Sequence, residues 1–241
     1  MMKPKLHFSG IYKFSYEAFK QHAGLLAALT LFSVVVLLAP ILIAFAAQSI
    51  ALMIIAYLID LVLAFVLFTI YSYALVLIAK GETVTFKQAL EAWKKSPVYF
   101  GVIFLYSIIV LGGTLLLVVP GLIWSCKFYL APMILLAEGK SVTDSLHESS
   151  VRTEGYKFDV FASMSLMNQL ATYAILPAYY LLLIIFFVGG AVFSAGGSSV
   201  GSMITLSVIG VIVFIALAIL AWVLLQIVTI ASNKAYVELS K

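Results

Sequence analysis

The stretch IALMIIAYLIDLVLAFVLFTIYSYALVLIAKGETVTFKQALEAWKK, residues 50–95, decides the fold. From Ile50 to Ala79 it carries a single charged side chain, Asp60, before Lys80 closes the apolar run. A helix rising 1.5 Å per residue needs about 20 apolar residues to cross a hydrocarbon core of about 30 Å. This run exceeds that length, and a basic connector with Lys87, Lys94 and Lys95 follows it at once.

Working outward, the rest of the chain repeats the arrangement. Apolar runs at 24–47, 97–119, 121–137, about 160–189 and 201–231 join 50–79 to give six predicted spans. Of the 241 residues, 64% are hydrophobic and 10% charged. A soluble domain runs at about half apolar and a quarter charged, so these proportions exclude one, and they exclude disorder as well. The single cysteine, Cys126, excludes a disulfide scaffold. A signal-peptide reading of Ala44-Phe45-Ala46 is disfavoured, because the apolar run before it is too long and follows a polar arm.

Basic residues set the orientation. Lys3, Lys5, Lys13 and Lys20 precede the first span; Lys80, Lys87, Lys94 and Lys95 occupy the second connection. Lys140, Arg152 and Lys157 occupy the fourth, and Lys234 and Lys241 the tail. All 14 basic residues but Lys127 thus fall on alternate connections. Short loops rich in Lys and Arg stay cytoplasmic, so both termini are expected inside. The net charge of +4 follows from this bias and from anionic headgroups, and no nucleic-acid partner is expected.

The polar connectors carry helical patterning. In the arm, Lys13, Glu17 and Lys20 share one face and Phe8, Ile11, Tyr12, Tyr16 and Phe19 the other. In the second connector Lys87, Glu91 and Lys94 stand opposite Phe86, Leu90 and Trp93. The two segments, KFSYEAFK (13–20) and KQALEAWK (87–94), have matching patterns. Interfacial helices are predicted over about 8–22, 85–95 and 142–153, burying aromatics and offering Lys13, Lys20, Lys87 and Lys94 to lipid headgroups. Thr85 and Thr143 are the expected N-caps, and Glu148 is placed to pair with Arg152 one turn later. Three helix-plus-span units suggest an internal repeat, common in transporters and in other helical membrane scaffolds.

Two charges fall inside predicted spans. Asp60 is about 15 Å and Lys127 about 10 Å from the outer end, at 1.5 Å per residue. Opposite sign at similar depth invites a pair, and an intramembrane charge is a functional hypothesis by default. The alternatives are that Lys127 snorkels and that Asp60 is protonated or bonds a neighbouring helix. The fifth span adds Asn168 and Gln169 near mid-depth, and Pro177, where a kink or break is expected. Such a break can line a transport site or simply accommodate packing.

Motifs for catalysis do not occur. His7, His22 and His147 lack metal-ligand spacing. There is no H-E-x-x-H, no G-x-S-x-G elbow, no P-loop and no dinucleotide fingerprint. Neither catalytic activity nor a cofactor or metal is expected.

The stretch from 117 to 155 carries a resemblance. It runs into Pro120-Gly121, then Ala131-Pro132, an acidic-Gly step at Glu138-Gly139, and an amphipathic helix with a small residue, Ser149. In this it resembles the core of the YciC-like bacterial inner-membrane family. It is also similar to the membrane domain attached to some glycerophosphodiester phosphodiesterases, where an Arg often stands at the position of Lys127. The resemblance implies a bacterial inner-membrane location but transfers no activity, because the phosphodiesterase chemistry belongs to a separate soluble domain.

The expectation is therefore an all-α polytopic protein with six spans, interfacial helices on the cytoplasmic face and both termini inside. Its partners would be membrane phospholipid and a protein companion or second copy. Its role would be non-enzymatic support of envelope or lipid homeostasis; the competing reading is a small transporter or channel using Asp60 and Lys127.

Overall fold

The computed structural model describes residues 8–161 and 200–239, and every regular element found there is a helix. Five helices are long and apolar enough to cross a membrane: Ser9–Ala44, Ile50–Lys80, Phe86–Leu116, Val118–Glu138 and Ala218–Glu238. That is the make-up of a multi-pass membrane protein. The predicted fifth span, 160–189, lies almost entirely outside the described residues.

Helix α1 (Phe8–Ala46) is continuous, so the predicted interfacial helix at 8–22 and the span at 24–47 are one element. Its 39 residues reach about 58 Å, nearly twice the hydrocarbon thickness, which forces part of it to stand outside the apolar layer. The arm's apolar face is divided: Ile11, Ala18 and Phe19 are buried within the protein, while Tyr16 is exposed. Polar residues along α1 bond their own helix, with Ser15, Thr30 and Ser33 hydroxyls donating to the carbonyls four residues earlier.

Helix α2 (Ile50–Lys80) returns antiparallel, with Thr30 Oγ1 3.4 Å from Tyr71 Oη. It ends at Gly81, whose φ of 84° is the left-handed conformation that a C-terminal cap requires. Thr85 caps α3 (Phe86–Glu91) in a reciprocal capping box with Gln88, as expected. A 3-10 turn (Ala92–Lys95) leads into α4 (Ser96–Leu116), with Pro97 in its first turn, where no N–H is needed. In this segment Ala89 and Ala92 are buried against the protein and Trp93 is 57% exposed.

The chain reverses at a single extended residue, Leu117, rather than at Pro120, which lies inside α5 (Val118–Phe128). So tight a hairpin needs glycine. A Cβ on Gly113 would lie 2.6 Å from the Trp124 ring, and one on Gly121 would lie 2.8 Å from Thr114 Cα. After a break at Tyr129-Leu130, α6 (Ala131–Glu138) ends at left-handed Gly139. Ser141, not Thr143, caps α7 (Val142–Arg152), its hydroxyl accepting from the Asp144 N–H.

Two compact units divide the chain: residues 1–162 with 230–241, and residues 163–229. In the second, the described residues 200–229 are the first part of α8 (Val200–Leu239). In the first, α6 is the hub. Ala131, Leu135 and Leu136 pack with Tyr99 and Val102 of α4 and Leu146 of α7. Leu130 and Ile134, on the other side, pack with Val76 of α2 and Tyr236 of α8. Towards the reversals the surface is apolar and open, with Leu61 71% and Leu115 78% exposed. Such a surface suits hydrocarbon.

Gly121→Ala should therefore force α4 and α5 apart and cost about 1–3 kcal/mol. Gly112→Ala, where a Cβ meets nothing within 4 Å, should be neutral or slightly stabilising. Thermal unfolding of the two variants in one detergent checks the contrast.

Candidate functional site

The break between α5 and α6 gathers the polar chemistry of the first unit. The helical ladder lapses between Phe128 and Ala131, and Pro132 in the first turn of α6 has no N–H for the Phe128 carbonyl four residues before it. Helix α7 answers. Ser149 Oγ donates to the Lys127 carbonyl at 2.8 Å and accepts from the Leu130 N–H at 3.2 Å. Thr153 Oγ1 also reaches the Lys127 carbonyl at 3.1 Å. Ser149 and Thr153 are both fully buried, so these bonds replace the missing helical ones in an apolar setting.

One turn of chemistry further along is an ion network. Arg152 holds Glu138 at 2.6 Å and Glu148 at 2.8 Å, the second being the pair read from the sequence. Lys140 bridges the same two carboxylates at 3.1 and 3.2 Å, and Tyr236 Oη donates to Glu138 at 2.8 Å. Lys95 and Lys80 donate to the carbonyls of Leu136 and Ala137 at the end of α6. Lys95 also lies 4.1 Å from the Tyr73 ring centre. Hydrogen bonds from Arg152 and Lys140 hold Glu148 below the usual carboxylate range. A hydrogen bond to Glu138 first, and one to Glu148 after it, raise Lys140.

The residues singled out in the sequence are dispersed. Asp60 lies in the first half of α2, with both carboxylate oxygens shielded and no hydrogen-bond partner. The antiparallel register set by Thr30 and Tyr71 puts it level with Ile41, next to Pro40 of α1. Lys127 ends α5 with its ammonium 5.4 Å from the Phe128 ring centre. Among the described residues no ion pair joins Asp60 to Lys127. The hydroxyls of α7 hold the Lys127 carbonyl, and Lys127 stands ten residues from the Leu117 reversal, as Asp60 stands ten residues from the start of α2. Asn168, Gln169 and Pro177 fall outside the described residues.

Lys13, Lys20, Lys87 and Lys94 are exposed, with Lys20 4.4 Å from the Tyr16 ring centre. The Glu138 network and the Ser149 clamp were not foreseen as a site. The spacing of Glu148 and Arg152 gave one pair, but nothing local signals that Tyr236, 98 residues on, closes on Glu138. Among the described residues no group of three or more His, Cys, Asp or Glu is placed to hold a metal ion. No protein-family model, curated protein or solved structure matches the chain.

Ser149→Ala should strand the Lys127 carbonyl and the Leu130 N–H and lower stability by about 1–3 kcal/mol. Chemical denaturation in detergent micelles measures it, and Ser150→Ala serves as the neutral comparison. The depressed Glu148 contributes stability that is complete above its ordinary value of 4.5 and fades as pH falls through its lowered value in the folded state. Hydrogen exchange of the α7 amides, corrected for intrinsic rate, should therefore quicken in acid, and Glu148→Gln should shrink that acid step.

Proposed function

We propose that this chain is a non-enzymatic, multi-pass protein of the bacterial inner membrane, of the YciC-like kind, whose charged end engages anionic phospholipid. Through these contacts, and through a protein companion or a second copy, it supports envelope or lipid homeostasis. One observation carries the reading. Lys13, Lys20, Lys87 and Lys94 are exposed and have no carboxylate within 4 Å among the described residues, and Tyr16 and Trp93 stand exposed beside them. Exposed ammoniums next to amphipathic rings, at the ends of long apolar helices, suit a headgroup layer. The bonds from Ser149 to the Lys127 carbonyl and from Arg152 to Glu138, all within the stretch that resembles the family, support treating that stretch as its structural core.

The buried, unpartnered oxygens of Asp60 favour a second reading, a small transporter or channel. Proton or solute flux in proteoliposomes that Asp60→Asn abolishes would establish it, and no flux from the unaltered protein would remove it.

For the leading reading, the purified protein is offered phosphatidylglycerol and phosphatidylcholine in equal amounts, and native mass spectrometry counts the retained lipid. The unaltered chain should prefer phosphatidylglycerol. Replacing Lys13, Lys20, Lys87 and Lys94 with Gln should cut that preference by at least about tenfold, since each basic residue near an anionic surface contributes ~1 kcal/mol and the loss of two already exceeds that factor. An unchanged preference would overturn the proposal.

A further inference from the structure

The α4–α5 hairpin leaves an open groove of about 720 Å³, lined among others by Ile108, Gly112, Leu115, Leu116, Trp124 and Lys127. Its walls are apolar apart from the Lys127 ammonium. Gly112 forms part of the floor, and a Cβ there would meet nothing within 4 Å. From Ile108 to Leu116 the groove follows α4 for about 12 Å, or roughly two helical turns. A groove with a glycine in its floor, open along its length, admits a second helix at close range.

Lys127 fixes the depth. It stands ten residues from the Leu117 reversal and eleven from Glu138, so about 15 Å of hydrocarbon separates it from either face. A lysine side chain does not span that distance, and the phosphates of both leaflets are out of its reach. Its countercharge must therefore come from inside the bilayer. This chain does not supply one. All ten acidic residues lie among the described residues, and none places a carboxylate oxygen within 4 Å of the Lys127 ammonium. Asp60, the acidic residue at matching depth, keeps both oxygens shielded within its own protomer. That also disqualifies it as the anion offered by a second copy. Among the described residues the ammonium faces the Phe128 ring, centred 5.4 Å away.

We propose that the α4–α5 groove docks one transmembrane helix of a different membrane protein, and that this helix carries an aspartate or glutamate at bilayer mid-depth, paired with Lys127. Charge complementarity selects the occupant, because hydrocarbon tails would fill the groove and leave the ammonium unpaired. The proposal rests on the membrane-protein reading above and specifies its protein companion.

Trp124 provides the readout. In the full chain carrying Trp93→Phe and Trp222→Phe, Trp124 is the remaining tryptophan. This chain is reconstituted in phosphatidylcholine vesicles with a leucine-rich transmembrane peptide that bears glutamate at its centre and a nitroxide quencher one turn away. A central residue sits at mid-depth whichever way the peptide inserts. The glutamate peptide should quench Trp124 more strongly than its glutamine twin, by roughly fivefold in association, the order of one interhelical polar contact in a membrane. Lys127→Met should remove the difference and Lys127→Arg should keep it. Lys127→Glu should transfer the preference to a peptide with lysine at its centre, which a merely structural lysine would not do. Gly112→Leu, which fills the groove, should weaken the association of both peptides. Equal quenching by the glutamate and glutamine peptides, or a preference that survives Lys127→Met, overturns the assignment. So does a homodimer in native mass spectrometry that Lys127→Met separates, since a second copy would then be the occupant. Phosphatidylcholine carries no net charge, so failure of the groove is told apart from failure of the Lys13, Lys20, Lys87 and Lys94 belt, which the lipid count measures.

Discussion

A backbone carbonyl freed inside an apolar helix has to find a donor, because hydrocarbon offers none. In this protein the Lys127 carbonyl is that group, and the hydroxyls of Ser149 and Thr153 are its donors. The rest of the first unit is arranged around the answer. Helix α7 must lie against the break to supply the hydroxyls, so Leu146 joins the core of α4 and α6. With α7 in place, Arg152 is brought to Glu138, and Glu138 in turn receives Tyr236 from α8. The amphipathic connector is thus a packed part of the fold as well as a polar surface.

The charged end of α6 shows how competing terms are balanced. A carboxylate at a helix C-terminus is on the unfavourable side of the helix dipole. Glu138 occupies that position, and three donors, Arg152, Lys140 and Tyr236, offset the cost. The last carbonyls of α6 are met as well, by the Gly139 N–H and by the ammoniums of Lys95 and Lys80. These donors come from α2, the turn before α4, α7 and α8. One short helix therefore ties together most of the unit, while the opposite ends of the long helices keep a loosely packed apolar surface.

Much of this was legible from composition and periodicity. The helical class and the long apolar elements follow from run lengths, because a span is a local property of about 20 residues. The cap at Thr85 and the Glu148–Arg152 pair were likewise visible, since both depend on neighbours within one turn. What escaped were choices between two partners. The apolar faces at Ile11, Phe19 and Ala89 could meet lipid or protein, and hydrophobicity alone does not distinguish them. Ser141 and Thr143 were both competent caps, and the backbone at Gly139 decided between them. A count along the helix gave the depth of Lys127 but not that α7 folds back to meet its carbonyl.

The clamp at the helix break also carries a schedule. Its two hydroxyls lie 22 and 26 residues downstream of the carbonyl they serve. At about 5–20 residues per second, synthesis reaches them roughly 1–5 s after Lys127 has been made. The α4–α5 hairpin, closed by its glycines and a one-residue turn, is complete in sequence before then. During that interval the freed carbonyl must rely on water or on the insertion machinery, so partitioning of α5 into lipid is tied in time to the arrival of α7.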